Sequence, residues 1–365
     1  MKYNTLSFLG SLALLFFGVA CSTPEQDVDV DVSSTDSEEM MSSCAQGDGK
    51  CDVFGEDDRH EMYDFDAESV HAKLARSTGM ITLQDSIEVR YDGSVRISPL
   101  VPTLGVRRNL CEGQRFEEQP VPGICSGFLV GPDLFMTAGH CLVRKDGTIE
   151  KARELCQDDL WVMFDYGYSS KDDDPVSSLE VVPYENAYKC QDVIALRREH
   201  ACGHDFALLK LDRPVEGREA LALRAGGKIE EGTELFSIGH PSGLPKKVAL
   251  NSFVQPEYSP LADYQPENPI QGFPYNSDEF VGNSGGAVFN AKTGVVEGLS
   301  SCGSAGNDYI VNPDNDSCNI AGQCGVNTTC ELFGIAYDMP TVIGQLDDEV
   351  LTQLDLVVEA TQASE

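Results

Sequence analysis

Positive charge is scarce in this chain: 26 Lys and Arg stand against 60 Asp and Glu, for a formal net charge of −34 over 365 residues. Such a surface repels polyphosphates, which excludes nucleic acid as a partner. The carboxylate excess reads as solubility in a salty exterior rather than as a binding device. A long apolar run is lacking too. The stretch from Leu6 to Ala20 is too short for a membrane span. With Lys2 ahead of it and the small-x-small Gly18-Val19-Ala20 at its end, residues 1–20 read as a signal peptide. There is no P-loop, no HExxH zinc run and no internal repeat, so no cofactor and no metal is implied. Histidine is sparse: there are six, and none lies beyond His240.

Cysteine, in contrast, is abundant. Of the 13, Cys21 directly follows the cut site and resembles the acylated cysteine of a bacterial lipoprotein signal, although Gly18 stands where that pattern usually has leucine. Setting it aside leaves 12, an even set able to form six disulfides in an oxidising compartment. The protein is therefore expected outside the cytoplasm, as a bacterial outer-membrane lipoprotein or a secreted protein, touching a membrane only through an anchor at Cys21. Residues 21–52 read as an acidic flexible tether. Ser22 to Met41 carries no Lys or Arg and almost no large apolar side chain, so it cannot offset its ordering entropy. Cys44 and Cys51 bracket a small Gly-containing loop ahead of the folded part.

From Val53 onward the texture is globular, and a 41% hydrophobic content over this length allows two packed subdomains. Short runs such as Phe128-Leu129-Val130, Trp161-Val162-Met163-Phe164 and Leu235-Phe236-Ser237-Ile238, separated by Gly-Pro-Asp and Pro-Ser-Gly turns, predict an all-β body. After Pro340, the residues Ile343, Leu346, Val350, Leu354, Val357 and Val358 recur at helical spacing and predict one C-terminal amphipathic helix in a segment of 341–365. Residues 265–280 and 304–324, rich in Pro, Asn, Asp and Gly, read as surface loops.

Three islands carry chemistry: Thr137-Ala138-Gly139-His140-Cys141, Asp205-Phe206-Ala207-Leu208-Leu209 and Gly282-Asn283-Ser284-Gly285-Gly286. A serine hydroxyl attacks an amide only if a base takes its proton, and an imidazole with a pKa near ~6.5 suits that task. His140 is the candidate base, Asp205 the carboxylate that orients it, and Ser284 the nucleophile. Glycines around Ser284 let the amides of Gly282 and Ser284 converge where an oxyanion forms. The G-x-S-x-G elbow of α/β-hydrolases needs its histidine after the serine, which the absence of histidine beyond His240 rules out. The subtilisin order needs an acid before His140, and none there has a comparable context.

Cys125-Ser126-Gly127-Phe128-Leu129-Val130 through Thr137-Ala138-Gly139-His140-Cys141 resembles the first-barrel signature of the chymotrypsin and trypsin-like serine peptidases. Gly239-His240-Pro241-Ser242-Gly243 and the segment Val53 to Arg59 lean toward the bacterial, glutamyl-endopeptidase-like branch. The resemblance implies two six-stranded antiparallel barrels over residues 53–345, joined near 212–230, with the triad in the cleft between them. It also implies a Cys125–Cys141 disulfide around the histidine loop, protein or peptide substrates, and a monomer.

Departures bear on activation and specificity. In the trypsin branch an aspartate before the serine pairs with a newly cut N-terminus; Asn283 stands there, so activation is expected not to use that ion pair. The family alignment puts Asp278 at the floor of the primary pocket, which would favour Arg or Lys before the scissile bond, with loop ordering as the competing role. Ser301 and Gly303 align with the pocket-lining strand. Ser300 occupies the place of the histidine that reads glutamate in glutamyl endopeptidases, which weakens a glutamate preference. The remaining rival is a surface binding module that kept the fold and lost turnover. His200, Cys202 and His204 alternate as if on one strand face, but a disulfide role for Cys202 is more economical than a metal site. Asp314-Asn315-Asp316 lacks an EF-hand's glycine and glutamate and reads as a polar turn. Asn327-Thr328-Thr329 fits a glycosylation pattern that carries little meaning in a bacterial setting.

Overall fold

The computed structural model describes residues 53–144, 147–199, 204–256, 271–302, 308–324 and 334–357. The signal peptide, the tether with Cys21, Cys44 and Cys51, and the positions His200, Cys202, Gly303 and Asn327 to Thr329 lie outside them. No helix among the described residues is long and apolar enough to cross a membrane.

Twelve strands build the body. Six form the first barrel: β1 (Thr78–Leu83), β2 (Gly123–Leu129), β3 (Leu134–Thr137), β4 (Leu160–Phe164), β5 (Ala187–Arg198) and β6 (Asp205–Leu211). They pair in the order β1-β2-β3-β6-β5-β4 and back to β1, closing completely with antiparallel ladders. Most of these strands are near-continuous apolar runs because both faces are covered. Only β5 alternates, and it bends through two bulges, after Cys190 and after Val193. The Phe135 ring fills the interior, and a Cβ at Gly127 would stand 2.2 Å from it. Phe135 meets Phe164 edge-on at 5.8 Å, a geometry aromatic rings favour.

The second set is β7 (Glu234–Gly239), β8 (Lys247–Phe253), β9 (Gly272–Tyr275), β10 (Ala287–Asn290), β11 (Val296–Cys302) and β12 (Gly334–Asp338). Its order, β8-β7-β10-β11-β12-β9, repeats that of the first barrel. Between β8 and β9, however, the described residues close the circle through the isolated bridge Val254–Tyr275, the Gln255 amide donating to the Pro274 carbonyl at 2.8 Å, and Asn276 bonding Phe253. The second expected barrel is therefore a curled sheet whose ends meet over a few hydrogen bonds rather than a full ladder. The short strand Arg59–Glu61 pairs along the outer side of β8.

Three local expectations need correction. Residues 265–280 include β9, where Phe273 and Tyr275 are buried, and residues 304–324 include the hairpin of Tyr309–Asn312 and Asn315–Ala321. Asp314 sits in the turn of that hairpin, its amide donating to Asn312 Oδ1 at 2.9 Å. The C-terminal apolar stripe does bury Ile343, Leu346 and Val350, but on two short helices, Met339–Ile343 and Asp348–Leu351, with Leu346 in the turn between them. Gly344 caps the first, Asp347 starts the second, and Leu356–Val357 then pairs as a strand with Leu223–Arg224.

Three disulfides join described residues. Cys125–Cys141 closes the histidine loop, Cys156–Cys190 fastens the helix Ile149–Asp158 to β5, and Cys111–Cys318 ties the segment after the helix Leu104–Arg108 to the 309–321 hairpin. Such a set belongs to an oxidising, extracytoplasmic environment.

Candidate active site

His140 lies in a single 3-10 turn, Gly139–Cys141, directly after β3, and Asp205 opens the neighbouring strand β6. The turn can approach β5 and β6 only because residue 139 is glycine. A Cβ there would be 2.2 Å from the Arg197 carbonyl and 2.9 Å from Asp205 Oδ1. The Asp205 carboxylate then grips the turn twice, accepting from the His140 main-chain amide at 2.8 Å and from His140 Nδ1 at 2.6 Å. Ser301 Oγ on β11 donates to the same Oδ2 at 3.0 Å, and Arg198 Nη1 stands 4.0 Å from it. Burial alone would push the Asp205 carboxyl up. The adjacent imidazole, its hydrogen bonds and the Arg198 cation outweigh that and hold it below the usual carboxylate range. Asp205 is 2% exposed, whereas the His140 side chain keeps 23% of its surface.

Ser284 is delivered from the other barrel, on the turn that leads into β10. Its carbonyl accepts from the Ser126 amide at 2.8 Å, so the turn is fastened to β2, the strand paired with the β3 that leads to His140. Ser126 acts twice more: its hydroxyl donates to the Gly282 carbonyl at 2.7 Å and accepts from the His240 amide at 2.8 Å. Gly282, at φ +104°, takes a conformation other residues avoid, and a Cβ would meet the His240 carbonyl at 2.7 Å. Among the described residues, the amides of Gly282 and Ser284 have no acceptor. Asn283 is buried and its amide donates to the Phe280 carbonyl at 2.9 Å.

Asp278 departs from the pocket-floor expectation. It is 3% exposed, and its two oxygens accept the main-chain amides of Phe54 at 2.7 Å and Asp58 at 2.6 Å. Burial pushes its carboxyl up to about 6 despite those bonds. The loop-ordering role is the one this geometry serves. The adjacent Arg59 pairs with Asp57 and lies 3.8 Å over the Phe280 ring, so the N-terminal segment braces the serine turn. The next residue, Glu279, points elsewhere: Oε2 accepts from Ser300 Oγ at 2.6 Å and from the Tyr275 hydroxyl. His204 is hydrogen-bonded through Nδ1 to the Tyr337 hydroxyl.

The structure brings His140, Asp205 and Ser301 together through hydrogen bonds and sets the Ser284 turn against Ser126. Ser126 stood inside the quoted signature without a role, because a serine hydroxyl within an apolar strand carries no spacing signal of its own.

Residues 125–299 match the family of trypsin-like peptidase domains. No curated protein matches the chain. Among solved structures it is similar to a Glu endopeptidase in complex with MPD, at 14% identity over 80% of this chain and 95% of that one, with a TM-score of 0.41. It is also similar to the Rv3671c protease of M. tuberculosis in an inactive form, at 14% identity, 76% and 90% coverage and a TM-score of 0.38. Kallikrein-related peptidase 10 matches at 15% identity over 63% of this chain and 91% of its own, with a TM-score of 0.38.

Proposed function

We propose, from the premise that this chain carries a trypsin-like peptidase domain and is a serine peptidase, that it cleaves proteins or peptides through an acyl-enzyme on Ser284. His140 Nε2 takes the hydroxyl proton as Ser284 Oγ adds to the scissile carbonyl, and the amides of Gly282 and Ser284 receive the oxyanion. The protonated imidazole then gives its proton to the leaving amine. Water, deprotonated by the same nitrogen, hydrolyses the ester and restores both groups. Asp205 holds the ring with Nδ1 as donor and balances the imidazolium.

The observation that carries this reading is the buried Asp205 gripping both the amide and Nδ1 of His140, beside a strand whose Ser126 amide holds the Ser284 carbonyl. Labelling the mature protein with a fluorophosphonate tests it. Stoichiometric modification at Ser284 is expected, together with a ~10⁶-fold loss of kcat in Ser284→Ala and unchanged folding. A folded protein that takes no label is instead a binding module.

The finer reading is a monomeric endopeptidase with a signal at 1–20 and a lipid anchor at Cys21, carried on the acidic tether of 21–52. Sequence features support this: the small-x-small cut site and the even number of remaining cysteines. Cleavage after Arg or Lys, with glutamate-specific cleavage as the alternative, requires a pocket residue other than Asp278, which holds the amides of Phe54 and Asp58.

A further inference from the structure

Between Val281 and Ser284 the main chain of the serine turn is pinned group by group. The Val281 amide donates to Asp308 Oδ2 at 2.9 Å, and the Val281 carbonyl accepts from the Ser242 amide at 2.5 Å. The Gly282 carbonyl accepts from Ser126 Oγ at 2.7 Å, and the Asn283 carbonyl from the Gly286 amide at 2.7 Å. With the Asn283 amide on the Phe280 carbonyl and the Ser284 carbonyl on the Ser126 amide, the amides of Gly282 and Ser284 are left over among the described residues. A trans peptide points its C=O and N–H opposite ways. Holding the carbonyls of Val281 and Asn283 therefore aims the N–H that follows each of them, that of Gly282 and that of Ser284, away from these anchors.

Such pins are needed because Gly282 is free to turn. At φ +104° and without a Cβ, its flanking peptides rotate at little steric cost, and a rotated Val281–Gly282 peptide would present a carbonyl where an oxyanion has to bind. The adjacent side chain gives no help: Asn283 is buried and uncharged, and its Oδ1 has no hydrogen-bond partner among the described residues. Support comes instead from two side chains on separate elements. Ser126 lies on β2 of the first barrel, fully buried, and its hydroxyl is itself fixed by the His240 amide at 2.8 Å. Asp308, also buried, leads into the hairpin of Tyr309–Asn312 and Asn315–Ala321, which Cys111–Cys318 staples in place. The Asp308 carbonyl accepts from the Gly322 amide at 2.9 Å, and Arg108 Nη2 stands 4.0 Å from Oδ2. The neighbouring Tyr309 hydroxyl is 3.1 Å from Ser242 Oγ, and Ser242 is the residue whose amide holds the Val281 carbonyl.

We propose that Ser126 and Asp308 are positioning residues of the oxyanion site, holding the peptides on either side of Gly282 in the orientation that turns its amide to the substrate. This rests on the serine-peptidase reading and adds how the site is kept competent: by a hydroxyl and a carboxylate already in place in the uncut chain, without an amine released by cleavage. Both residues act through the main chain, and neither touches the reacting atoms. Ser126 ties the Gly282 carbonyl to the first barrel, and Asp308 ties the Val281 amide to the hairpin. Losing either leaves one side of Gly282 free to turn, so the oxyanion amide is in place for a fraction of the time. An asparagine at 308 keeps the accepting oxygen, because the contact with the Val281 amide requires an acceptor and not a charge.

The test compares Ser126→Ala, Asp308→Ala and Asp308→Asn with wild type in the rate of fluorophosphonate labelling at Ser284 and in kcat and KM on fluorescein-labelled casein, with melting temperatures alongside. Each alanine variant should lower kcat and the labelling rate by ~10²-fold and leave KM within ~threefold, because the misplaced donor acts in the transition state rather than in substrate binding. Asp308→Asn should return to within ~fivefold of wild type, a rescue that loss of the Arg108 ion pair would not allow. Full-length wild type should label before any N-terminal cutting, a readout that needs no variant to fold. Alanine variants within ~threefold of wild type, an Asp308→Asn as slow as Asp308→Ala, or a wild type that labels only after N-terminal cutting would overturn the assignment and leave the peptidase reading standing. Absence of labelling at Ser284 in every form of the wild type defeats the peptidase reading itself.

Discussion

The two barrels share one strand order and differ in how tightly they are closed. The first is laddered all the way round and carries the Cys125–Cys141 and Cys156–Cys190 bonds within its own elements. The second meets itself over a few hydrogen bonds around the bridge Val254–Tyr275, and is braced from outside by the strand Arg59–Glu61 and by Asp278 holding Phe54 and Asp58. The difference follows the division of labour. His140 and Asp205, whose mutual geometry must hold to fractions of an ångström, come from the closed barrel. Ser284 comes from the looser one.

Breaking the rigid side should cost most. Asp205→Asn keeps the shape of the side chain but removes its charge and reverses one bonding role, so kcat is expected to fall by ~10⁴-fold while the melting temperature holds. A loss below tenfold would mean that the His140–Asp205 contact is only structural. Next comes the loop that carries the base. Replacing both cysteines in Cys125→Ser/Cys141→Ser should lower the unfolding free energy by ~3 kcal/mol in urea titrations, as expected for a closed loop of 16 residues. A much smaller change would show that the ladders alone hold the first barrel. The mildest effect is expected at the external brace. The folded chain keeps a proton on Asp278 up to about pH 6, whereas the ordinary value is 3.8. Between those values the native state binds more protons than the unfolded chain, so stability contributed by this site falls as pH rises across the window and is constant above it. The drop should be at most roughly 3 kcal/mol, at ~1.4 kcal/mol per pH unit across the window, and absent in Asp278→Asn. Equal pH slopes in the two proteins would remove Asp278 from the account of how the second barrel is held.

Legibility from sequence divided along the same line. Most strands of the first barrel are near-continuous apolar runs, and His140 sits in a motif flanked by the cysteine that closes its loop, so these signals are local. In the second barrel the signals mislead. Pro274 makes β9 read as a loop, yet its missing N–H is harmless because its carbonyl is the group that meets Gln255. The apolar stripe from Ile343 to Val358 has one period whether it forms a single helix or two short ones and a strand, and Gly344 alone marks the break. Asp278 and the amide of Phe54 are separated by 224 residues, and no local pattern announces a contact of that span.

The Cys111–Cys318 bond has a consequence for a chain that must survive near copies of itself. His140, Asp205 and Ser284 all fall between its two ends. One exposed basic residue in the long insertion, Lys171, is followed by acidic residues on a loop. A nick after Lys171 would part the base from the acid and nucleophile along the backbone. Two sulfur bridges, Cys111–Cys318 and Cys156–Cys190, would still span the cut. Self-inflicted damage there leaves one covalent molecule, whose halves come apart only when a reductant reaches both.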